Sequence, residues 1–351
     1  MSDSTRRRRR HRRRWQDRFK DALRERFWIV PATLIIVLVI GISGYWLLKG
    51  AQEIETQRVQ AQTQQNVASG YRDILYKGKP YRYNSRITTV LYAGVDTKEP
   101  LGSIGHYMCG NMADSIQLLV LDEFNHKITI IPLDRYTMTK IHRYTYKGVK
   151  RDPNISQLCF AFSYGDGGKA SCQNLCQAVT DLLYGIPVNE YVVTNISSLP
   201  VMSDIIGNVK VKVPNNDLEG IGIREGQDLV VNADNIETFV RYRDIKKDWS
   251  NVGRMERQRV YINSAFNRLK QNLEDNPDGL WNSIKRMDNV MLTSITRNKY
   301  LDLIRILEKT SYNDQDYYKP EGEYKVGHFE EFYPDEEALL AQVIDIFYMK
   351  K

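Results

Sequence analysis

The chain has 351 residues, enough for two ordinary domains or for one large domain with attachments, and its hydrophobic and charged fractions of 42% and 26% are those of a globular protein. The formal net charge is +7, but residues 1–26 alone hold eleven Arg and one Lys against four carboxylates. The rest of the chain is therefore close to neutral, which argues against a large nucleic-acid-binding domain.

Residues 27–48 contain no charged side chain, and the run is long enough to cross a hydrocarbon core of roughly 30 Å. Trp28 and Trp46 lie near its two ends, where aromatic rings prefer the headgroup level. We predict an uncleaved transmembrane helix. A signal peptide is the alternative, but its apolar core is typically shorter, and no convincing small-residue cleavage site follows Gly50.

The Arg-rich run at residues 6–14 predicts a cytoplasmic N-terminus, with everything after the span outside the cell. Such a run can also bind nucleic acid. Beside a membrane span its simpler interpretation is a topology determinant that touches anionic lipid. We therefore expect a single-pass protein of the cell membrane that contacts membrane lipid and no nucleic acid.

Beyond the span, strands and helices alternate along the chain. Residues 51–70 are rich in Gln, Glu, Thr and Ala and favour a polar stalk. Alternating or β-branched apolar runs predict strands at 87–96, 115–122, 126–134, 191–196 and 207–214. Helical spacing of apolar residues predicts helices at 168–184, 197–206, 233–243, 254–272 and 333–347.

These elements predict an α/β (α+β) fold with a central mixed sheet flanked by helices, preceded by one transmembrane helix. The predicted divisions are a basic cytoplasmic arm at 1–26, the transmembrane helix at 27–48, a polar stalk at 49–81, the main domain at 82–275 and a helical extension packed on it at 276–351.

The four cysteines lack CxxC spacing and a matching His cluster, which makes a zinc site improbable. Their even number, in a compartment that permits disulfides, favours two bridges. Cys172 and Cys176 are four residues apart on a predicted helix, so each should pair with a distant partner. We predict the pairs Cys159–Cys172 and Cys109–Cys176.

The side chains that could carry chemistry are arginines and aspartates near the ends of predicted elements, since the chain has no nucleophile elbow, P-loop or HExxH motif. Arg241 and Arg243 are two residues apart, and Arg254 and Gln258 would share one face of a helix. Guanidinium groups bind phosphate oxygens bidentately, and a carboxylate pair would bind the accompanying Mg²⁺. The alternative is a solvated helix face with ordinary ion pairs.

A family resemblance favours the first interpretation. From about residue 86 to 262 the chain resembles the LytR–CpsA–Psr family of bacterial envelope proteins, in a divergent, Clostridia-like branch. The resemblance rests on AGVDTK and ADSIQLLVLD, on DRYT after a strand, on GIPVNEYVVTNISSL, DIIGNVKVKVP and GQDLVVNADNIETFVRYR, and on GRMERQ. The basic arm, single span and external domain also fit the layout of that family.

This resemblance implies a phosphotransferase that moves a glycopolymer, such as a teichoic acid or capsule polymer, from a polyprenyl-pyrophosphate carrier to peptidoglycan. It implies Mg²⁺, or Mn²⁺, as the cofactor and an apolar tunnel for the lipid. By position in the motifs, Asp96 and Asp114 would hold the metal. The catalytic residues would be Arg135, Arg241, Arg243, Arg254 and Gln258, and the four arginines would also bind substrate.

Three positions depart from the family pattern. Met112 stands where an Arg is frequent, and Tyr136 replaces the Asp of the R-D-T motif. Asn251 stands where an Asp usually precedes G-R-x-x-R-Q, although Asp248 is close by. These changes keep open a non-catalytic relative that binds polyprenyl-pyrophosphate or wall polymer. A regulator whose arm contacts nucleic acid is a third alternative, which the near-neutral external domain disfavours.

Overall fold

The computed structural model describes residues 73–351, apart from 103, 245–248, 276–281, 283, 284 and 328. The predicted arm, the predicted transmembrane helix and most of the predicted stalk lie outside the described residues. Within the described ranges, no helix combines the length and the apolar character that a bilayer span requires.

The described residues belong to one compact unit built from fourteen strands and seven α-helices. The strands are β1 (Asp73–Tyr76), β2 (Lys79–Tyr83), β3 (Ile87–Val95), β4 (Ala113–Asp122), β5 (Lys127–Leu133), β6 (Met138–Tyr144), β7 (Lys150–Gln157), β8 (Glu190–Asn195), β9 (Val209–Lys212), β10 (Asp228–Val231), β11 (Met291–Thr293), β12 (Gly322–Val326), β13 (Glu330–Pro334) and β14 (Tyr348–Lys350). The helices are α1 (Phe160–Ser163), α2 (Lys169–Leu182), α3 (Ser198–Ile206), α4 (Ile236–Arg241), α5 (Ser250–Asp275), α6 (Arg297–Lys309) and α7 (Glu336–Phe347).

The central sheet has five strands in the order β11-β8-β3-β4-β5. Strand β8 runs parallel to β3, and every other pair in the sheet is antiparallel. The sheet is therefore mixed, and helices cover it, as the sequence predicted. A smaller sheet joins β1 and β2 to β14. Three further two-stranded antiparallel sheets are formed by β6–β7, β9–β10 and β12–β13.

Strand β3 shows why the central strands have no polar side: both of their faces are covered. Leu91 and Ala93 point into the main hydrophobic core, whereas Val90 and Tyr92 line a cavity on the opposite face. Alternate residues of a strand face opposite sides of the sheet, so a strand covered on both sides needs a continuous apolar run.

Each face of the sheet packs against its own helices. On the core face, α2 and α7 bury apolar side chains at helical spacing, among them Leu175, Val179, Leu340 and Val343. On the opposite face, residues of α3, α5 and α6 surround the cavity instead of filling the space above the sheet. The molecule therefore has one solid side and one hollow side.

Two predicted boundaries differ from the structure. Strand β1 lies within the segment interpreted as a stalk, β2 begins within it, and β2 bonds to β14 near the C-terminus. The segment predicted as a helical extension, 276–351, supplies β11 to the central sheet and also forms β12, β13 and β14. It is an integral part of the fold, because β11 and β14 pair with β8 and β2, segments far away in sequence that local periodicity does not reveal.

The disulfide prediction is wrong in this structure, which shows all four cysteines as free thiols. Cys109 contacts the Phe162 carbonyl oxygen, with 3.6 Å between Sγ and O, and Cys159 approaches Oε1 of Gln157 at 3.8 Å. Cys172 is fully buried in the main core. Burial raises the pKa of Cys159 to about 11 and that of Cys176 to about 12, which keeps these thiols protonated at neutral pH.

Candidate functional site

The candidate site lies where β3 ends and β4 begins, beside the hollow side of the sheet. Asp96 directly follows β3, and its Oδ1 accepts a 2.6 Å hydrogen bond from the backbone N–H of Met112. In the β3–β4 ladder Gly94 pairs with Ser115 and Val95 with Ala113, so Asp114 is the extra residue of a β-bulge. The bulge lets Asp114 and its neighbour Ser115 both line the cavity, although adjacent strand residues normally face opposite sides.

A tight turn after β5 fixes the next two site residues. The Asp134 carboxylate accepts a 2.9 Å hydrogen bond from the Tyr136 backbone N–H, and the Arg135 carbonyl accepts one of 3.1 Å from Cys159. Strand β13 adds a third constraint, because the backbone N–H of Phe332 donates to the Tyr136 carbonyl at 3.0 Å. Arg135 is thus held by backbone contacts on both sides and is 8% exposed.

The remaining predicted residues lie at the end of α4, just after it, and on α5. Arg241 is the last residue of α4, and Arg243 follows two positions later. Arg254 and Gln258 lie one turn apart on α5, as predicted from their spacing. The Gln258 amide is committed at both ends: its Oε1 accepts from Ser115 and its Nε2 donates to the Val240 carbonyl, each at 3.0 Å.

Arg135 and Arg254 share the carboxylate of Asp114. Arg135 Nε lies 2.9 Å from Oδ1, and Arg254 Nη1 lies 3.1 Å from Oδ2. The contact of Arg135 is poorly aligned as a hydrogen bond, which leaves its Nε and Oδ1 of Asp114 buried without hydrogen-bond partners. Burial, together with the neighbouring charges of Arg243 and Arg135, lowers the pKa of Arg254 to about 10.

Tyr136 connects the guanidinium group of Arg243 to this cluster. Its hydroxyl oxygen accepts a 2.8 Å hydrogen bond from Arg243 Nη1 and a longer one, 3.4 Å, from Arg135 Nη1. Three guanidinium groups, those of Arg135, Arg243 and Arg254, thus gather around one ion-paired carboxylate. Arg241 differs from them, because Glu237 one turn earlier in α4 holds it in a 2.6 Å ion pair.

Three neighbours of the cluster were not predicted as site residues. Asp134 is 2% exposed and accepts hydrogen bonds from Asn251 at 2.9 Å and from the Tyr324 hydroxyl at 2.6 Å. Asn251 in turn accepts a 2.6 Å hydrogen bond from Arg254. The sequence signals were the position of Asp134 directly before Arg135 and that of Asn251 before the GRMERQ motif. Nothing local connects Tyr324 with it, since 190 positions separate them.

A mostly apolar cavity of about 560 Å³ opens beside the charged cluster. Its walls come mainly from the hollow face of the sheet and from α3, α5 and α6, with residues such as Leu119, Ile130, Ile262, Leu303 and Leu307. Its polar lining includes Asp96, Asp114, Arg241, Arg254 and Gln258. The cavity can hold a long apolar chain with a charged group at its polar end.

The structure therefore brings the seven predicted site residues together. Asp96, Asp114, Arg241, Arg254 and Gln258 line the cavity. Arg135 and Arg243 lie beside it, joined to the others through Asp114 and Tyr136. Their convergence is a geometric fact, and their chemical roles remain proposals.

Comparison with known proteins identifies the family. The LytR_cpsA_psr family model matches residues 47–327, about four-fifths of the chain. The chain belongs to the LytR–CpsA–Psr family. A comparison with curated protein sequences gives no match.

Solved structures of similar fold agree with this assignment. TagV from B. subtilis has a TM-score of 0.54 at 19% identity, over 74% of this chain and 96% of that chain. The protein gbs0355 from Streptococcus agalactiae has a TM-score of 0.57 at 19% identity, over 75% and 87%. TagT bound to LIIa-WTA has a TM-score of 0.54 at 14% identity, over 80% and 98%. At these identities the likeness concerns the fold, and the family membership indicates a cell-wall glycopolymer transferase at the family level.

In this LytR–CpsA–Psr protein the three departures from the family pattern have definite surroundings. The Met112 sulfur lies 3.3 Å from Arg135 Nη2, so a thioether fills the space next to that guanidinium. Tyr136 joins two arginines, as described above. Asn251 bridges Asp134 and Arg254 with the two ends of its amide. Because an amide is not a base, Asn251 cannot accept a proton as a carboxylate would.

The two predicted metal ligands fit a hard divalent cation in part. Asp96 and Asp114 are close enough for the charge of Asp114 to add to burial in raising the pKa of Asp96. Oδ1 of Asp114 accepts no aligned hydrogen bond, although Arg135 Nε lies 2.9 Å from it, so a cation there would compete with that guanidinium. Within the described residues no group of three or more His, Cys, Asp or Glu could hold a metal. Two carboxylates suffice for Mg²⁺ when phosphate oxygens complete its coordination.

Proposed function

We propose that this protein transfers a glycopolymer from a polyprenyl-pyrophosphate carrier to peptidoglycan. The observation that carries the proposal is the junction of an apolar cavity with three guanidinium groups, two of which share the Asp114 carboxylate while the third, Arg243, is joined to them through Tyr136. A polyprenyl pyrophosphate has the complementary parts, which are a long apolar chain and a compact multiply charged anion. TagT bound to LIIa-WTA, where WTA denotes wall teichoic acid, lends support by fold similarity.

The charge balance of the cluster favours a pyrophosphate. Arg135, Arg243 and Arg254 repel one another. Burial, and after it this repulsion, lowers the pKa of Arg254. An anion bound between them would relieve the repulsion, and guanidinium groups match phosphate oxygens in geometry. Asp96 and Asp114 would hold Mg²⁺, which supplies further positive charge to the phosphates when bound.

In the proposed reaction a hydroxyl oxygen of peptidoglycan attacks the phosphorus that bears the glycopolymer. A new P–O bond forms, the P–O bond to the lipid phosphate breaks, and polyprenyl phosphate leaves while the hydroxyl proton passes to solvent. The arginines would stabilise the charge that develops on the leaving phosphate. Asp134 would act as a positioning residue, since both of its oxygens already accept hydrogen bonds.

The proposed function requires a particular topology. Residues 27–48 would anchor the chain in the cell membrane, with the N-terminus inside and the large domain outside, close to both the carrier lipid and the wall. Protease added to intact protoplasts should then remove the large domain. Complete protection from the protease would refute this topology, and the transferase function would fall with it.

The activity is tested with the purified full-length protein, a labelled polyprenyl-pyrophosphate glycopolymer, peptidoglycan and Mg²⁺. Wild type should release polyprenyl phosphate and label the peptidoglycan. Arg135→Ala and Arg243→Ala should reduce both signals at least a hundredfold, because each removes a guanidinium from the phosphate site. Arg224→Ala serves as the matched control, since Arg224 is exposed on a turn away from the cavity. Equal activity in all three variants would contradict the proposal.

A second candidate is a protein that binds the carrier without transferring its polymer. The observation in its favour is Asn251, whose amide replaces a carboxylate and has both ends engaged. In this case wild type would bind the labelled carrier and Arg135→Ala would not, while no polyprenyl phosphate would appear. The same assay therefore separates the two candidates.

A further inference from the structure

The hairpin formed by β6 and β7 has an exposed, strongly basic surface. Lys140 pairs with Ile155 and Arg143 with Arg151 across the two strands. Between the pairs Ile141–Asn154 and Arg143–Arg151, β7 carries one residue more than β6, so the hairpin contains a β-bulge on β7. Lys140, Arg143, Arg151 and Ile155 are all exposed, whereas Ile141 is fully buried.

The charges of this hairpin are not compensated. Its five exposed basic side chains make no ion pair with any residue of the described chain, and its one exposed carboxylate belongs to Asp152. The five are Lys140, Arg143, Lys147, Lys150 and Arg151. Arg143 and Arg151 lie directly opposite each other, an arrangement of like charges that destabilises a strand pair unless an anion lies over it.

The tip of the hairpin is apolar as well as basic. Tyr146 and Val149 are 60% and 63% exposed, and Ile155, the partner of Lys140 in β7, is 61% exposed. Ile104 and Met108, in a loop that contacts the tip, are also exposed. These five are among twelve large hydrophobic side chains that are exposed in the described part of the chain, so nearly half of them gather at one hairpin.

The tip is held in position by the rest of the fold. The backbone N–H of Tyr107 donates to the Tyr146 carbonyl at 3.0 Å, and the His106 ring stacks on the Tyr146 ring with centroids 4.2 Å apart. At the base, Asn174 of α2 donates to the His142 carbonyl at 3.0 Å. The apolar and basic groups are therefore presented together before any partner arrives, which lowers the entropic cost of binding.

We propose that the β6–β7 hairpin docks the external domain onto the surface of an anionic lipid bilayer. Tyr146 and Val149 would enter the headgroup layer, where aromatic rings and short apolar segments are stable. The five basic side chains would lie over the anionic headgroups, which attract Lys and Arg near the surface. An anionic glycopolymer would match the charges, but it would leave the apolar tip without a function.

The test is hydrogen–deuterium exchange on the full-length protein in phosphatidylglycerol-rich nanodiscs, in phosphatidylcholine nanodiscs and in detergent micelles. Backbone amides of residues 145–150 should exchange several-fold more slowly in the anionic nanodiscs than in micelles, with phosphatidylcholine intermediate. High salt should remove most of the difference between the two lipids, because screening weakens the charge attraction and spares the apolar contact. In micelles, soluble poly(glycerol phosphate) should give no protection.

Variants sharpen the result. Lys147→Glu/Lys150→Glu should lose the protection seen in anionic nanodiscs, while Lys210→Glu/Arg224→Glu, the same charge change at exposed sites elsewhere, should keep it. Both double variants alter the surface only, so exchange in α5 should match wild type and show that the fold is intact. The proposal is overturned if residues 145–150 exchange equally in all three media. It is also overturned if poly(glycerol phosphate) protects them in micelles and the anionic bilayer does not.

Discussion

Two buried arginines three positions apart on α5, Arg254 and Arg257, show how one helix can serve a ligand site and a folded core. Arg254 faces Asp114 and the cavity, shares that carboxylate with Arg135, and keeps a buried Nε without a partner. Arg257 is fully enclosed and lies outside the cavity lining.

Each of the three guanidinium nitrogens of Arg257 donates at least one hydrogen bond. It forms a 2.5 Å ion pair with Asp217 and donates to Asn215 at 3.1 Å. It also donates to the carbonyls of Phe239, at 2.9 Å, and Tyr242. These carbonyls lie at the C-terminal end of α4, so Arg257 fixes the segment that carries Arg241 and Arg243.

The difference between the two arginines is one of charge balance. The charges that act on Arg254 are those of one carboxylate, Asp114, and of two other guanidinium groups, Arg243 and Arg135, which favours the binding of an anion. Arg257 has a carboxylate of its own and an acceptor for each of its nitrogens, which is the condition for a structural ion pair. Arg257 therefore holds in place the segment that carries two of the site arginines.

The largest expected effect is on stability. Arg257→Met should lower the free energy of unfolding by about 3–5 kcal/mol, because it leaves the partly buried Asp217 carboxylate without its partner. Arg254→Met should cost less than half as much, since Asp114 keeps Arg135, but should abolish binding of inorganic pyrophosphate. Denaturant unfolding and calorimetric titration of the full-length protein in detergent measure the two quantities. Equal stability losses would remove the distinction drawn between the two arginines.

Gly253 offers a second way to perturb the structural pair. A Cβ at this position would overlap Oδ2 of Asp217, the atom that binds Arg257. Gly253→Ala should therefore destabilise the protein by about 1–3 kcal/mol, even though Ala is the better helix former. The matched control is Asn267→Ala, a helix-favouring change farther along α5, where the side chain is exposed. A Gly253 variant as stable as wild type would show that Asp217 can move away without cost.

Asn251→Asp tests the ligand side. The new carboxylate would face Asp134 Oδ1, which now accepts a 2.9 Å hydrogen bond from the Asn251 amide. Two facing carboxylates raise the pKa of the pair, so at pH 7 the variant should lose about 1–2 kcal/mol of stability. Below the raised pKa one proton is shared and the loss should shrink, which unfolding at pH 5 and pH 7 measures. A loss that does not depend on pH would refute this account. A gain of transfer activity would show that the family carboxylate restores catalysis.

The smallest effect should come from Asp96. Burial, with the nearby charge of Asp114, raises its pKa in the folded protein, so the ionised carboxylate is less stable there than in the unfolded chain. The cost is absent below the unfolded pKa and complete above the folded one. Without metal, Asp96→Asn should thus increase stability at pH 7 by less than about 1 kcal/mol, with no gain at pH 3. A loss of stability at pH 7 would contradict this assignment.

The proposed metal binding should depend on pH through the same carboxylate. If Asp96 holds the cation, affinity for Mn²⁺ should fall as pH decreases through its raised pKa, at a higher pH than for an ordinary Asp. The Asp96→Asn variant should bind Mn²⁺ weakly at every pH. Electron paramagnetic resonance of free Mn²⁺ in the presence of pyrophosphate measures both. Unchanged affinity in the variant would exclude Asp96 as a ligand.

The sequence by itself determined the elements whose signal is local. The β-branched run that becomes β3 is apolar on both faces, and α2 and α7 show clear helical spacing, so all three were predicted near their observed positions. The motif residues of the site were also found in the sequence, because DRYT, RYR and GRMERQ match a known family pattern. The transmembrane helix remains a prediction, since it lies outside the described residues.

Only the tertiary structure decided what each of those residues contacts. A β-bulge turns Asp114 and Ser115 toward one cavity, and Tyr324 reaches Asp134 from a distant hairpin. The tertiary structure also leaves the four cysteines as free thiols. On α5, Arg254 and Arg257 have similar local sequence and opposite surroundings, because segments far away in the chain bring Asp114 to one and Asp217 to the other. Local periodicity fixes which residues form a helix, whereas the charges that surround each side chain depend on packing between distant segments.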